Sequence, residues 1–140
     1  SVFAHELPYC WHIRRELDIE LLNQMASILS GELDCTTFSA AGDQSQSKSR
    51  YIYTAHFFIE GSYIVFEICA NAFLWRMVRS ITGTLLHCEQ QKNTKKDFEQ
   101  ILMAKDRKAA GETAPPQGLF LWSIQYPEPL LTPDGSGSNV

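Results

Sequence analysis

No apolar run in the 140 residues approaches the roughly 20 consecutive apolar residues that a membrane-spanning helix needs. The N-terminus lacks the basic-then-apolar pattern of a secretory signal. Cysteine is sparse: Cys10, Cys35, Cys69 and Cys88 are widely and irregularly spaced, with no CxxC pair. That spacing argues against a disulfide scaffold, and the thiols read as reduced, in a cytoplasmic protein. A zinc site assembled from them and His5, His12, His56 or His87 is only a minor alternative, so no metal is expected. Positive charge is also short. Lys and Arg number 12 against 16 Asp and Glu, a net charge of −4. Bulk positive charge therefore cannot drive nucleic-acid binding, although a local basic patch can. The signatures GxSxG, GxGxxG, HExxH and the P-loop are all missing. Asp34, Asp43, Glu60 and Glu67 stand apart, with no spacing that pairs them for acid–base work.

What remains is an ordinary globular composition, 44% hydrophobic and 20% charged, in a chain one domain long. A chain of about this size buries roughly two thirds of its unfolded surface. It begins at Ser1 without an initiator Met and reads as a processed or excised piece. Residues 1–15 read as irregular, with Tyr9, Trp11 and Ile13 available for packing. Asp18 is placed to cap a helix whose Leu21, Leu22, Met25, Ile28 and Leu29 share a face, and Gly31 to stop it. Residues 41–50 read as an exposed polar loop. Tyr51–Ile59 and Tyr63–Ala70 form a predicted hairpin around Gly61–Ser62. Asn71 is positioned to cap a second helix running to about Cys88. Phe73, Leu74, Met77, Val78, Ile81 and Leu85 make its apolar face, with Ala72, Arg76, Arg79 and Gly83 opposite. Thr94 and Asp97 suggest a capping box for a third helix carrying Phe98, Ile101 and Leu102. A loop over 105–117 leads through Gly118 to a last strand, Leu119–Tyr126. The expected architecture is α+β, an antiparallel β-sheet with helices packed on it, followed by a flexible tail.

Three segments offer chemistry. Arg79 lies toward the middle of the second predicted helix, among small neighbours that leave its guanidinium room to meet a carboxylate or phosphate. A solvated arginine is the plainer reading of it. Lys105, Arg107 and Lys108 could bind phosphate, or only complement a helix end. Ala114-Pro115-Pro116-Gln117-Gly118 would fix Leu119 at a strand start, or be no more than a rigid turn. Cations and shape are present, without an evident nucleophile or base.

The runs ANAFLWRMVRSITGTLL (70–86) and AKDRKAAGETAPPQGLFLWSIQYP (104–127), with LPYCWHIRRELDIELLNQMASILSGELDCTTF upstream, resemble the C-terminal half of the TruA family of tRNA pseudouridine synthases. The resemblance runs from about Leu7 to Pro127 and rests on two separated motifs, MVR and APPxGLxL. It implies a pseudouridine synthase-like fold in a domain of residues 1–127, with 128–140 as the tail. It also implies isomerisation of uridine to pseudouridine in the tRNA anticodon stem-loop, at positions thirty-eight to forty, without cofactor or metal. A catalytic Asp attacks the flipped-out nucleotide, since the reacting atoms are inaccessible in a stacked stem. Arg79 matches the arginine that pairs with this Asp, and Leu119 the leucine beside the target base. Lys105 and Arg107 match a KDR segment and, with Arg76, are candidates for substrate contact. The family acts as a homodimer that binds tRNA across both subunits.

The departures matter. No GRTDAGVHA-like motif occurs in the 140 residues, so the chain reads as a C-terminal domain inactive without the half that carries the Asp. Leu33 and Cys35 also depart from the family's pattern, at positions where packing is the expected effect. A non-catalytic tRNA-binding or dimerisation module of the same fold is the alternative reading, and a small-ligand domain a weaker one. An uncovered sheet edge or face predicts self-association of the isolated piece.

Overall fold

The computed structural model describes residues 16–111, together with the backbone of residues 7–13 and 120–124. The elements are β1 (Leu7–Ile13), α1 (Ile19–Ala26), β2 (Gly31–Asp34), β3 (Ser49–Glu60), β4 (Tyr63–Ala70), α2 (Met77–Gln90), α3 (Lys95–Ala104) and β5 (Phe120–Ile124). Single 3-10 turns lie at Ser27–Leu29, Thr36–Phe38 and Arg107–Ala109. The strands form one sheet in the order β2-β3-β4-β1-β5, and every neighbouring pair is antiparallel. This is the expected α+β class.

Period-two burial explains how the sheet meets the helices. Ile64, Phe66, Ile68 and Ala70 of β4 are buried in the core with Leu22, Met25 and Leu29, with Met77, Val78, Ile81 and Leu85 of α2, and with Phe98 and Leu102 of α3. Phe57 of β3 stacks on Phe66 across the ladder at 4.6 Å between ring centroids. Each fully buried Leu, Ile or Phe stabilises by about 1.5–3 kcal/mol relative to exposure, so this single cluster fixes the helix positions. Gly61, at a φ of 61°, makes the hairpin turn between β3 and β4.

Four expectations change. Residues 7–13 are not irregular: they form β1, paired to β4 on one side and β5 on the other. The exposed loop ends earlier than residue 50, because β3 starts at Ser49. The first helix stops at Ala26, and a 3-10 turn intervenes before Gly31, which opens β2 at a φ of 95°. Most consequentially, α2 begins at Met77 rather than after Asn71. Asn71 is engaged elsewhere: its Oδ1 accepts from the Tyr51 N–H at 3.0 Å and its own N–H donates to the Tyr51 carbonyl at 2.9 Å. It prolongs the sheet instead of starting a helix. Phe73 and Leu74 are buried ahead of α2, and Gly83 is buried rather than outward-facing. The α2 segment from Ser80 to Leu86 is enclosed on all sides, and Thr82 and Thr84 return their hydroxyls to the Val78 and Ser80 carbonyls at 2.8 Å. The predicted last strand contains β5, and the flexible-tail expectation lies outside the described residues.

Candidate active site at the start of the central helix

The later start of α2 moves Arg79 from mid-helix to the third residue of the first turn. The approach to that turn is built from the loop before β3. The Asp43 carboxylate is nearly inaccessible, with its side chain 4% exposed. It accepts from the Trp75 N–H at 2.6 Å, from the Ser45 N–H at 2.8 Å and from Lys48 Nζ at 3.0 Å. Burial alone would raise its pKa, but the hydrogen bonds from Trp75, Ser45 and Lys48 outweigh burial and hold it well below the usual carboxylate range. Gly42 makes room for the Trp75 ring, since a Cβ there would lie 2.6 Å from Cζ3. Clamped in this way, the chain passes through Arg76 in the left-handed region, at a φ of 60°. A left-handed arginine at a helix N-cap is costly, and such strain is held only where its surroundings over-determine it.

The resulting helix end is unusually positive. Arg76 gives no side-chain cap, and no acidic residue stands in the first turn. The N–H groups of Val78 and Arg79 have no hydrogen-bond partner among the described residues. Arg79 is half-buried, and its guanidinium has no partner among the described residues either. An arginine at the positive end of a helix dipole is in an unfavourable place unless an anion meets it. Arg76 is exposed and lies over the Trp75 ring, 5.5 Å from its centroid.

The second basic segment divides. Lys105 ends α3 in the left-handed region, and its Nζ lies 3.9 Å from Asp34 Oδ2. The Asp34 carboxyl sits below its ordinary value, first because the Thr36 hydroxyl and N–H donate to it and, less, because Lys105 is near. Arg107 instead lines a cleft of about 230 Å³ together with Arg76, Thr37, Ser39, Ser80 and Gly111. Two contacts bring it there. Thr37 Oγ1 donates toward the Ile101 and Leu102 carbonyls at the end of α3 and accepts from the Asp106 N–H. Gly111 donates to Thr84 Oγ1 at 2.9 Å, and a Cβ at Gly111 would lie 3.2 Å from Thr84 Cα, so only glycine fits without a shift.

Of the candidate residues, the structure thus brings Arg76 and Arg107 to one cleft and sets Arg79 on the same first turn. It places Lys105 apart on Asp34. Leu119 lies outside the described residues. Sequence reasoning missed Ser80, Thr37 and Gly111; the hydrogen bonds that place Thr37 and Gly111 join residues 27 to 69 apart in the chain. Asp43 stood out only as an isolated carboxylate. Among the described residues, no three His, Cys, Asp or Glu side chains are grouped to hold a metal ion, and no helix is long and apolar enough to cross a membrane.

Residues 25–127 match a family model described as tRNA pseudouridine synthase. Relatives named tRNA pseudouridine synthase A include one from Treponema denticola, 71% identical over 94% of this chain and 49% of its own length. One from Treponema pallidum (strain Nichols) is 62% identical over 78% of this chain and 39% of its own length. One from Borreliella burgdorferi (strain ATCC 35210) is 48% identical over 82% of this chain and 47% of its own length. The chain spans about half the length of the curated relatives it matches. It belongs to the tRNA pseudouridine synthase family.

Proposed function

We propose that this chain is the arginine-bearing C-terminal domain of an enzyme that isomerises uridine to pseudouridine in the tRNA anticodon stem-loop, at positions thirty-eight to forty. The domain runs through residue 127 and is followed by a tail. The nucleophilic Asp belongs to an N-terminal half outside these 140 residues, and the assembled enzyme works as a homodimer in the cytoplasm. Arg79 is the catalytic arginine. Its fork receives the Asp carboxylate, keeps it ionised and aims it at the extruded nucleotide. The C1′–N1 bond of the uridine breaks, the uracil rotates, and a C1′–C5 bond forms. The proton lost from C5 is balanced by the one gained at N1, so no oxidant or reductant is consumed. Leu119 lines the base pocket, while Arg76, Lys105 and Arg107 contact the RNA.

One observation carries this reading. Arg79 is a half-buried arginine at an uncapped, acid-free helix N-terminus, with no partner among the described residues. An incoming carboxylate supplies what that position lacks. The test is complementation: the N-terminal half of a TruA-like enzyme is co-expressed with this chain, and pseudouridine formation is followed on an anticodon stem-loop. Activity is expected on mixing and is expected to vanish with Arg79→Ala. Mixed halves that associate yet stay inactive would refute the catalytic reading and favour a tRNA-binding or dimerisation module.

A further inference from the structure

Phe73, Leu74, Met77, Val78, Ile81 and Leu85 make one apolar stripe at helical spacing, and no local signal stops a helix from running through Arg76. Yet Arg76 stands in the left-handed region at a φ of 60°, and α2 starts only at Met77. Arginine has no preference for that region, which glycine, asparagine and aspartate favour. The bonds of Asn71 to Tyr51 remove a cap upstream but leave Leu74 to Arg76 free to turn helical. The break is therefore imposed from another part of the fold. We infer that Asp43 imposes it and is a positioning residue for Arg79: by holding the Trp75 N–H it fixes where α2 begins, and so keeps Arg79 at an open helix end. This inference rests on the role proposed for Arg79 above.

The two oxygens of the carboxylate serve different donors. Oδ2 accepts from the Trp75 N–H at 2.6 Å. Oδ1 accepts from the Ser45 N–H at 2.8 Å and from Lys48 Nζ at 3.0 Å. Lys48 Nζ also donates to the Asp43 and Ser45 carbonyls, at 3.1 and 3.2 Å, so the loop closes on itself and gives the carboxylate a fixed base. Gly42 seats the Trp75 ring beside it, since a Cβ there would lie 2.6 Å from Cζ3.

In a continuous helix the Trp75 N–H would donate to the Asn71 carbonyl, four residues back. Here it meets a buried anion, a stronger acceptor than a carbonyl. The Leu74 carbonyl then accepts from the Met77 N–H at 3.0 Å, a tight three-residue turn, in place of the Val78 N–H that an α-helix would send to it. The Val78 and Arg79 N–H groups are left without a partner among the described residues, and the first bond of the helix proper runs from the Ser80 N–H to the Arg76 carbonyl at 3.0 Å. The positive end of α2 thus coincides with the guanidinium that receives the catalytic carboxylate. A helix started one turn earlier would use up those N–H groups and put Arg79 in its second turn, where the dipole has faded. Asp43 acts on Arg79 only through the backbone of residues 75–79.

The test has a structural and a kinetic arm. In the full ¹⁵N-labelled chain, Arg76 of the wild type should give the strong intraresidue HN–Hα NOE of a positive φ. Asp43→Ala should lose it, with the Arg79 amide exchanging about tenfold more slowly as it gains a helical hydrogen bond. An unchanged Arg76 in a folded Asp43→Ala protein would overturn the inference, whether or not complementation restores turnover. The kinetic arm uses the enzyme assembled with the N-terminal half, well below the melting temperature of each variant. Single-turnover pseudouridine formation should fall about tenfold in Asp43→Ala and about threefold in Asp43→Asn, which keeps one acceptor oxygen, while stem-loop affinity stays unchanged. Leu29→Ala, buried in the turn after α1, also lowers stability but should keep the wild-type rate. Because Asp43 acts through Arg79, its loss should cost nothing further in the Arg79→Ala background. Losses that multiply, or a rate loss shared by Leu29→Ala, would overturn the positioning role and leave that of Arg79 standing. A wild-type rate with Arg79→Ala would overturn the reading of Arg79 itself, and this inference with it.

Discussion

Asp43 is the residue whose loss should spread furthest from its own position. Its buried carboxylate holds the Trp75 N–H at 2.6 Å, the Ser45 N–H at 2.8 Å and Lys48 Nζ at 3.0 Å, so it joins the loop before β3 to the strained entry of α2. A hydrogen bond to a charged group contributes roughly 1.5–3 kcal/mol net. Lys48 is partly exposed and Trp75 more so, so both recover some hydration when the acceptor is gone. We expect Asp43→Ala to cost about 3 kcal/mol, which for a domain of this size lowers Tm by roughly 10 °C. Asp43→Asn keeps the shape and an acceptor oxygen but loses the charge facing Lys48, and should cost about half as much. Because folding depresses the Asp43 pKa, its stabilisation is complete above about pH 4, the unfolded value, and is lost as pH falls through the lower folded value. Thermal melts of wild type, Asp43→Ala and Asp43→Asn at pH 7 and pH 3 check both statements. The two variants should lose less stability than wild type between those pH values. An Asp43→Ala protein within about 0.5 kcal/mol of wild type, the scale of a neutral surface change, would refute the clamp.

Other expectations follow from single contacts. Gly111→Ala places a Cβ against the α2 backbone at Thr84, so about 1–2 kcal/mol of destabilisation is expected, read by denaturant melts; a variant as stable as wild type would contradict the close approach. Burial pushes the Cys35 thiol up to about 12, and burial with the nearby Asp97 charge pushes Cys88 up to about 11. Neither should react with iodoacetamide at pH 8 in the native protein, and rapid labelling of either, read by peptide mass spectrometry, would contradict their burial.

The hairpin, apart from the first residues of β3, and the third helix were legible because their signals are local. Gly61 marks the turn, and Thr94 and Asp97 form the capping box that their spacing suggests. β1 was legible in principle: Leu7, Tyr9, Trp11 and Ile13 alternate with Pro8, Cys10 and His12, but its pairing partners lie more than 50 residues away. The start of α2 was misread for a physical reason. Asn71 is a good N-cap by type, yet its hydrogen bonds to Tyr51 are a tertiary fact with no local signal. That displacement changes what Arg79 is, from one arginine on a helix side to the cation at an uncapped helix start. The family resemblance identified Arg79 as important without giving this reason. The cleft shared by Arg76 and Arg107 was legible only in part: the basic run at 105–108 stood out as a candidate phosphate contact, but its approach to Arg76 and Ser80 comes only through the fold.

The most direct measurement is the single-turnover rate of pseudouridine formation by the enzyme assembled from this chain and its N-terminal half, for wild type, Arg79→Lys and Arg79→Ala. Stem-loop affinity would be measured on the same preparations. The expected result is a rate loss of about 100-fold or more for Arg79→Ala, a partial loss for Arg79→Lys, and affinities within about threefold of wild type. A rate within tenfold of wild type, or a loss carried entirely by affinity, would contradict the role of Arg79 as the partner of the catalytic carboxylate.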